Sequence, residues 1–238
     1  MTHFENSYFS FFSASFSDPN KSVNGDSINY VFIENENLFL CAVADGVSNS
    51  YSDTLSSSIA INTLFESFET LNDEKSLEKR LLKSAQQAHL SLYLNDKKPL
   101  YSTLTAVVWH TQLPFFFILN SGDSRVYQVN SEGIKQLTKD HSAITTKKDG
   151  KGGLIVREVL SQSLGSLSFK PSILPKVIEG SILLATDGFY KSSFAMSLCF
   201  DLTCGKLNNS DFKDQIHTAE YNDDASMILF LPKSLKPL

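Results

Sequence analysis

Four aspartates lie in four separate short motifs, and each motif follows or ends an apolar run. They are Asp45 in Ala-Val-Ala-Asp-Gly, Asp123 in Asn-Ser-Gly-Asp-Ser-Arg, Asp187 in Ala-Thr-Asp-Gly-Phe and Asp223 in Asn-Asp-Asp-Ala-Ser. A buried strand that ends on a carboxylate presents an oxygen ligand at the edge of a core. Several such carboxylates repel one another unless a cation lies between them. The pattern therefore predicts a divalent-metal site.

The same motifs have a structural alternative, because aspartate next to glycine commonly forms a turn. For Asp45, Asp123 or Asp187 alone, a turn is the better interpretation. Their joint occurrence with Asp223 reverses that preference and favours a shared metal site.

Composition and charge exclude several classes of function. The chain has 238 residues, 42% of them hydrophobic, and a net charge of -5. This is typical of a folded globular protein and gives no basic footprint for nucleic acid or an anionic membrane. Three cysteines without metal-finger spacing are consistent with a reducing compartment. Residues 1–16 lack a basic start and the apolar runs are too short to cross a bilayer, so we expect a cytoplasmic protein.

The apolar pattern predicts strands and helices in separate groups. A hairpin is expected from Asn29–Ile33 and Leu38–Ala44, followed by helices over Tyr51–Phe68 and Glu74–Leu94. Further strands are predicted at Thr103–His110, Phe115–Asn120, Arg125–Val129, Ile134–Leu137, Ser181–Thr186 and Ser226–Leu231. The polar stretch His141–Gly153 is predicted to be a surface loop, Arg157–Leu164 a short helix and Phe189–Leu198 a helix. This order favours an α+β fold, a two-sheet sandwich flanked by helices, in a single domain spanning residues 1–238.

Five motifs follow one another along the chain. They are Ala44-Asp45-Gly46-Val47, Gly122-Asp123-Ser124-Arg125 with Leu137-Thr138-Lys139-Asp140-His141-Ser142, Leu160-Ser161-Gln162-Ser163-Leu164-Gly165, Ala185-Thr186-Asp187-Gly188-Phe189 and Asp223-Asp224-Ala225-Ser226. In this order they resemble the motifs of the metal-dependent type 2C serine/threonine protein phosphatase family. The resemblance runs from about residue 21 to residue 231. It implies an αββα four-layer sandwich of two antiparallel sheets. It also implies hydrolysis of phosphoserine and phosphothreonine by a water activated by two Mn²⁺ or Mg²⁺ ions.

The resemblance also implies a role for each site residue. Asp45 would bridge both ions, and the Gly46 carbonyl would complete one coordination shell. Asp187 and Asp223 would hold the first ion together with Asp45. Asp123 would belong to a weak third ion position. Asp224 would hold the ligand residues in position without binding an ion itself.

The first family motif, Arg-x-x-Asn-Glu-Asp, is altered here to Lys21-Ser22-Val23-Asn24-Gly25-Asp26. Lys21 keeps the charge that would contact substrate phosphate but lacks the bidentate fork of arginine. Gly25 has no side chain where the family has a glutamate ligand of the second ion. Asp26 is retained and is predicted to reach that ion directly or through water.

A second departure is Lys191, which stands four residues after Asp187 where the family usually has aspartate. A lysine cannot bind a metal ion, and its charge opposes a third cation near Asp123. Arg125, by contrast, is expected to pair with a carboxylate inside the sandwich instead of binding substrate.

The leading hypothesis is a protein-serine/threonine phosphatase that acts on a phosphorylated protein, the product of a partner kinase. The alternative is a pseudophosphatase that binds a phosphoprotein or another partner without turnover, which Lys21, Gly25 and Lys191 motivate. A third version is a phosphatase whose partner supplies the missing ligand or orders the segment Lys147–Gly153.

Overall fold

The computed structural model describes residues 1–48, 50–95, 98–148 and 154–233. Within these ranges the strands are β1 (Thr2–Glu5), β2 (Phe9–Phe16), β3 (Asp26–Ile33), β4 (Leu38–Asp45), β5 (Leu104–His110), β6 (Phe115–Ser121), β7 (Arg125–Asn130), β8 (Gly133–Gln136), β9 (Ser142–Lys148), β10 (Leu154–Leu160), β11 (Ser172–Val177), β12 (Ser181–Ala185) and β13 (Ala225–Pro232). The α-helices are α1 (Asp53–Thr70), α2 (Leu77–Tyr93), α3 (Asp187–Tyr190), α4 (Ser193–Thr203) and α5 (Asn209–Ile216), and a 3₁₀ helix spans Glu34–Glu36.

Two antiparallel sheets stack face to face between two layers of helices. One sheet has the strand order β1-β2-β13-β12-β7-β8, and the other has the order β11-β6-β5-β4-β3. Helices α1 and α2 pack on the five-stranded sheet, and α3, α4 and α5 pack on the six-stranded sheet. This arrangement confirms the predicted α+β class and the αββα four-layer sandwich.

The space between the two sheets is filled largely by aromatic side chains. Phe9, Phe39, Trp109 and Phe230 are fully buried there. The Trp109 and Phe230 rings stack with centroids 5.9 Å apart, and the Trp109 indole N–H donates to the Leu113 carbonyl at 2.9 Å. Aromatic pairs of this kind bury large areas in fixed orientations. The sheets are thereby fixed relative to each other, and so are the residues at their ends.

Strand β4 carries the site because of its sequence. Residues 38–44 are an uninterrupted apolar run, and all of them are buried, since one face packs on the helices and the other on the opposite sheet. Asp45 is the first carboxylate of the strand and its last residue. Among the described residues no helix is long and apolar enough to cross a membrane.

Helix α1 begins at Asp53, after a short segment that follows Asp45 at the end of β4. The Ser52 hydroxyl caps the helix by accepting a hydrogen bond from the Leu55 backbone N–H at 3.2 Å. Asp53 is the first helical residue, in the position where a carboxylate interacts favourably with the helix dipole. The apolar side of α1 then packs on the five-stranded sheet.

Two predictions for residues 141–164 were wrong. The stretch expected to be a loop forms strand β9 at Ser142–Lys148. The first half of the expected helix over Arg157–Leu164 belongs to strand β10, which pairs with β9 as an antiparallel hairpin. The hairpin belongs to neither large sheet, and its apolar residues Ile144 and Leu154 are exposed. Because the hairpin has no buried face, its sequence lacks the alternation of apolar and polar residues that predicts a strand. Residues 149–153 of the predicted loop lie outside the described residues.

The predicted helix Phe189–Leu198 is interrupted. Helix α3 ends at Tyr190 and α4 begins at Ser193, because the Ser192 hydroxyl accepts a hydrogen bond from the Ala195 backbone N–H and caps a new helix. Strands β1, β2 and β11 and helix α5 had not been predicted. The hairpin β3–β4, helices α1 and α2, and strands β5, β6, β7, β8, β12 and β13 agree with the predictions to within a few residues.

Candidate metal centre

The sandwich brings the predicted aspartates to one end of both sheets. Asp45 ends β4, and Asp26 begins the neighbouring strand β3 directly opposite it in register. Asp187 follows β12 at the start of α3, and Asp223 lies two residues before Ala225, the first residue of β13. Two strand ends and two strand starts therefore place carboxylates from distant parts of the chain at one edge.

The electrostatics of these groups show that they face one another. Burial raises the pKa of the Asp45 carboxyl well above its usual range, and the charges of Asp26, Asp187 and Asp123 raise it further. Burial is also the largest cause of the raised pKa of Asp26, and the nearby Asp224 and Asp187 add to it. The Asp45 and Asp26 carboxyls are thus costly to ionise beside the other aspartates, which is the condition that a divalent cation relieves.

Asp26 carries the most direct indication of a cation. The residue is 7% exposed, and its Oδ2 accepts a hydrogen bond from the Thr186 hydroxyl at 2.8 Å. Its Oδ1 is buried and has no hydrogen-bond partner of good geometry within the described ranges, although the Ser226 hydroxyl is close enough to lower the pKa of the carboxyl. A buried carboxylate oxygen without a donor is unfavourable, because it has lost its water and gained no donor in exchange. A hard cation is a suitable partner for such an atom.

Two lysines contact the aspartates of this edge. The Lys21 ammonium group lies 2.9 Å from Asp223 Oδ1 and 2.8 Å from Asp224 Oδ2. The Lys191 ammonium group lies 2.6 Å from Asp187 Oδ2, one helical turn away on the chain. In the described part of the chain, no group of three or more His, Cys, Asp or Glu side chains is arranged to hold a metal ion. Ion binding therefore requires Asp187 and Asp223 to exchange a lysine contact for the ion.

Asp224 holds the segment that leads into β3. Its side chain is 3% exposed and accepts hydrogen bonds from the backbone N–H groups of Asp18 and Gly25, at 2.8 and 2.9 Å. Together with the Lys21 contact, these bonds fix the chain just before Asp26. The buried Asp224 carboxylate is thus bound by two backbone N–H groups and by Lys21.

Asp123 lies in a separate loop that approaches the same edge. Burial and the Asp187 charge raise its carboxyl pKa to about 6. The preceding Gly122 has a φ of 118°, and a side chain there would collide with Thr103. Glycine is therefore needed at this turn.

The contacts of Arg125 and His141 are structural and indicate no catalytic role for either residue. The Arg125 guanidinium makes a bidentate pair with Asp140, with Nε 3.0 Å from Oδ1 and a terminal nitrogen 2.6 Å from Oδ2, and it stacks on the Tyr190 ring. This is the internal carboxylate pairing that the sequence led us to expect. The His141 Nδ1 accepts a hydrogen bond from the Gly122 backbone N–H at 3.3 Å.

Two threonines that the sequence analysis did not single out hold the aspartates in place. Thr186 donates to Asp26, as described above. The Thr103 hydroxyl accepts a hydrogen bond from the Asp45 backbone N–H at 2.9 Å, and the Thr103 N–H donates to the Asp45 carbonyl at 2.8 Å. Thr186 lies inside the Ala-Thr-Asp-Gly motif, so its proximity to Asp187 was visible. Nothing in the sequence marked its contact with Asp26.

The edge opens into a cleft of about 1140 Å³. Its lining includes Asp45, Asp123, Asp187, Asp223, Lys21 and Lys191, together with Tyr93, Lys98, Tyr101 and Leu167. The acidic groups thus line the wall of an accessible cleft.

A model of the family described as protein phosphatase 2C matches residues 17–147, more than half of the chain. The chain belongs to the protein phosphatase 2C family. This confirms the resemblance drawn from the motifs and assigns the protein to the protein-serine/threonine phosphatases. The matched residues include Asp26, Asp45 and Asp123, whereas Asp187 and Asp223 lie beyond them and are assigned by their motifs and position. No curated protein matches the chain.

Solved structures agree with this family fold. The serine/threonine phosphatase Stp1 from Staphylococcus aureus superposes with a TM-score of 0.77 at 19% identity, covering 94% of this chain and 95% of its own. The Mycobacterium tuberculosis serine/threonine phosphatase PstP gives 0.71 at 15% identity, covering 95% and 100%. RsbX in complex with magnesium gives 0.66 at 15% identity, covering 98% and 99%. At these identities the similarity establishes the fold.

Proposed function

We propose that the protein is a catalytically active, divalent-metal-dependent phosphatase that hydrolyses phosphoserine and phosphothreonine in proteins. The observation that carries the proposal is the buried, unpartnered Oδ1 of Asp26 beside Asp45, at an edge shared with Asp187 and Asp223. Carboxylate and carbonyl oxygens are the ligands that hard divalent cations such as Mn²⁺ and Mg²⁺ prefer.

The residues would divide into two overlapping sets. Asp45, Asp187 and Asp223 would hold one ion, and Asp45, the Gly46 carbonyl and Asp26 would contribute to the second. When bound, the ions supply an activated water and neutralise the charge that develops on the phosphoryl group. Asp224 would keep Lys21 and the backbone before Asp26 in position, and Asp123 would contribute a weak third position.

The chain's own residues would bind and orient the substrate. Lys21 and Lys191 line the acidic end of the cleft, where their ammonium groups offset part of the negative field that would otherwise repel a phosphate. Lys21 would contact the phosphate as a single charge, without the fork that an arginine would offer. The cleft, of about 1140 Å³, has room for a phosphorylated side chain and part of the segment that carries it. We expect the substrates to be those of a partner serine/threonine kinase.

The test measures hydrolysis of a phosphothreonine peptide with Mn²⁺ or Mg²⁺ and with a chelator. Wild-type protein should turn over the peptide only with metal. Asp45→Ala and Asp187→Ala should abolish the metal-dependent rate. Asp211→Ala is the matched control, because Asp211 is an exposed aspartate in the first turn of α5, on the helical layer outside the cleft. Equal rates in wild type and in the Asp45 variant would refute the proposal.

A second candidate function is a phosphoprotein-binding pseudophosphatase. The observation that favours it is the Lys191–Asp187 pair at 2.6 Å, because it places a fixed cation on a predicted metal ligand. Under this alternative, a phosphopeptide would bind equally well with Mn²⁺ and with chelator, and no turnover would be detected. Metal-dependent turnover excludes it.

A further inference from the structure

Gly25 leaves a gap in the predicted shell of the second ion, and the structure places another carboxylate against that gap. We propose that Asp53, at the start of α1, supplies the ligand that a glutamate at position 25 would otherwise supply. A β-carbon built on Gly25 would lie 3.1 Å from Asp53 Oδ2 and 3.1 Å from Asp224 Oδ2. The inference rests on the proposed metal-dependent function and adds a residue that the family motifs do not include.

Asp53 is held firmly at this place by its backbone. A side chain on Gly46 would collide with the Asp53 main chain, so the two backbones are in direct contact. The Gly46 N–H donates to the Gly25 carbonyl at 3.1 Å, and the Thr54 hydroxyl donates to the Asn24 carbonyl at 3.1 Å. The start of α1 is thus bound to both segments that contribute to the second ion.

One oxygen of Asp53 is available for a ligand. Oδ1 accepts a hydrogen bond from the Thr54 backbone N–H at 2.7 Å. Oδ2, the oxygen that faces Gly25, makes no hydrogen bond within the described ranges. The carboxylate is therefore oriented by its own helix and presents one oxygen towards the position that Gly25 leaves open.

The residue that follows Gly25 gives an independent indication of a cation. Asp26 follows Gly25 directly, is 7% exposed, and has its Oδ1 buried without a partner. Asp26 in turn lies opposite Asp45 in the sheet. An ion between these groups and Asp53 would give the orphaned oxygen a partner and would offset the repulsion among the carboxylates.

A simpler role for Asp53 is to stabilise the helix dipole, which is worth about 0.3–1 kcal/mol for a carboxylate in a first turn. That role predicts a small loss of stability on substitution and no change in metal binding. Asp211 occupies the corresponding first turn of α5 and provides the matched control. Metal affinity therefore separates the two roles.

The experiment is calorimetric titration of Mn²⁺ into the full chain, with thermal denaturation in Mn²⁺ and in chelator as a second readout. Asp53→Asn should weaken the weaker Mn²⁺ site by at least about 10–100-fold, the loss typical of a substituted group that supports a metal site. It should also reduce the Mn²⁺-dependent rise in melting temperature. Asp211→Asn should leave both unchanged.

A glutamate introduced at position 25 should restore the Mn²⁺ affinity that is lost when Asp53 is replaced. Gly25 does not have a positive φ, so a side chain is compatible with its backbone. Asp53→Ala removes one of the two carboxylates that would lie 3.1 Å from its β-carbon, so only the Asp224 side chain has to shift slightly. The double variant Asp53→Ala/Gly25→Glu should therefore recover Mn²⁺ affinity to within about tenfold of wild type, while Asp53→Ala alone should not.

Failure of this inference is distinguishable from failure of the proposed function. If wild type binds Mn²⁺ and Asp53→Asn binds it with the same stoichiometry and affinity, Asp53 is not a ligand, although the metal site stands. If wild type binds no Mn²⁺, both ideas fall. Rescue by glutamate at position 25 supports the proposal that Asp53 replaces a ligand from that position. A glutamate in the segment before β3 would not restore an interaction with the dipole of α1.

Discussion

Replacing Asp123 by asparagine tests whether the clustered carboxylates oppose folding when divalent cations are removed. Burial and the nearby Asp187 raise the pKa of Asp123 from 3.8 to about 6. The unfolded chain loses this proton at lower pH than the folded protein does. Between these two pH values the folded state holds more protons, so its stability falls as pH rises. Asparagine has no proton to lose and avoids the penalty.

The size of the effect follows from the shift in the carboxyl pKa. A difference of roughly two pH units at about 1.4 kcal/mol per unit gives at most about 3 kcal/mol at pH 7. For a chain of this size each kcal/mol corresponds to about 2–4 °C in melting temperature. In chelator at pH 7, Asp123→Asn should therefore melt several degrees above wild type. The gain should shrink as pH falls below 6 and vanish near pH 4.

The assay is thermal denaturation in chelator across this pH range, followed by circular dichroism. Asp140→Asn is the matched control of opposite sign, because Asp140 is bound by the Arg125 guanidinium, and losing such a charged pair costs about 1.5–3 kcal/mol. A melting temperature for Asp123→Asn that is equal to or below wild type at pH 7, or a gain that does not depend on pH, would refute the reasoning.

Three further predictions concern the two lysines of the cleft and a buried ion pair. Lys191→Met removes the ammonium group from the exposed side of Asp187 and should tighten Mn²⁺ binding by about 2–5-fold in calorimetry, the equivalent of a surface pair; unchanged affinity would mean that the pair does not compete with the ion. Lys21→Arg should lower KM for a phosphopeptide while kcat changes little, because the guanidinium adds a bidentate fork; a raised KM would exclude phosphate contact. Glu36→Ala leaves the buried Arg80 guanidinium without its carboxylate and should destabilise the fold by about 2–4 kcal/mol in urea denaturation, with Mn²⁺ affinity unaltered.

The sequence predicted the elements whose pattern is local. The hairpin of β3 and β4 and helices α1 and α2 could be found because one face of each packs on a core, which imposes a regular apolar spacing. The β9–β10 hairpin could not, because it lies outside both sheets and exposes Ile144 and Leu154. A pattern that reflects burial carries no information about a segment that is not buried.

The sequence by itself determined the order of the four motif aspartates along the chain and predicted that they share a site, because each follows or precedes a short apolar strand. It also showed the two departures, Gly25 and Lys191. Only the tertiary structure decided that Asp53 faces Gly25 and that Thr186 binds Asp26. These contacts join segments that are far apart in the chain. Their distances depend on how strands, helices and sheets pack against one another, and spacing along the sequence does not encode them.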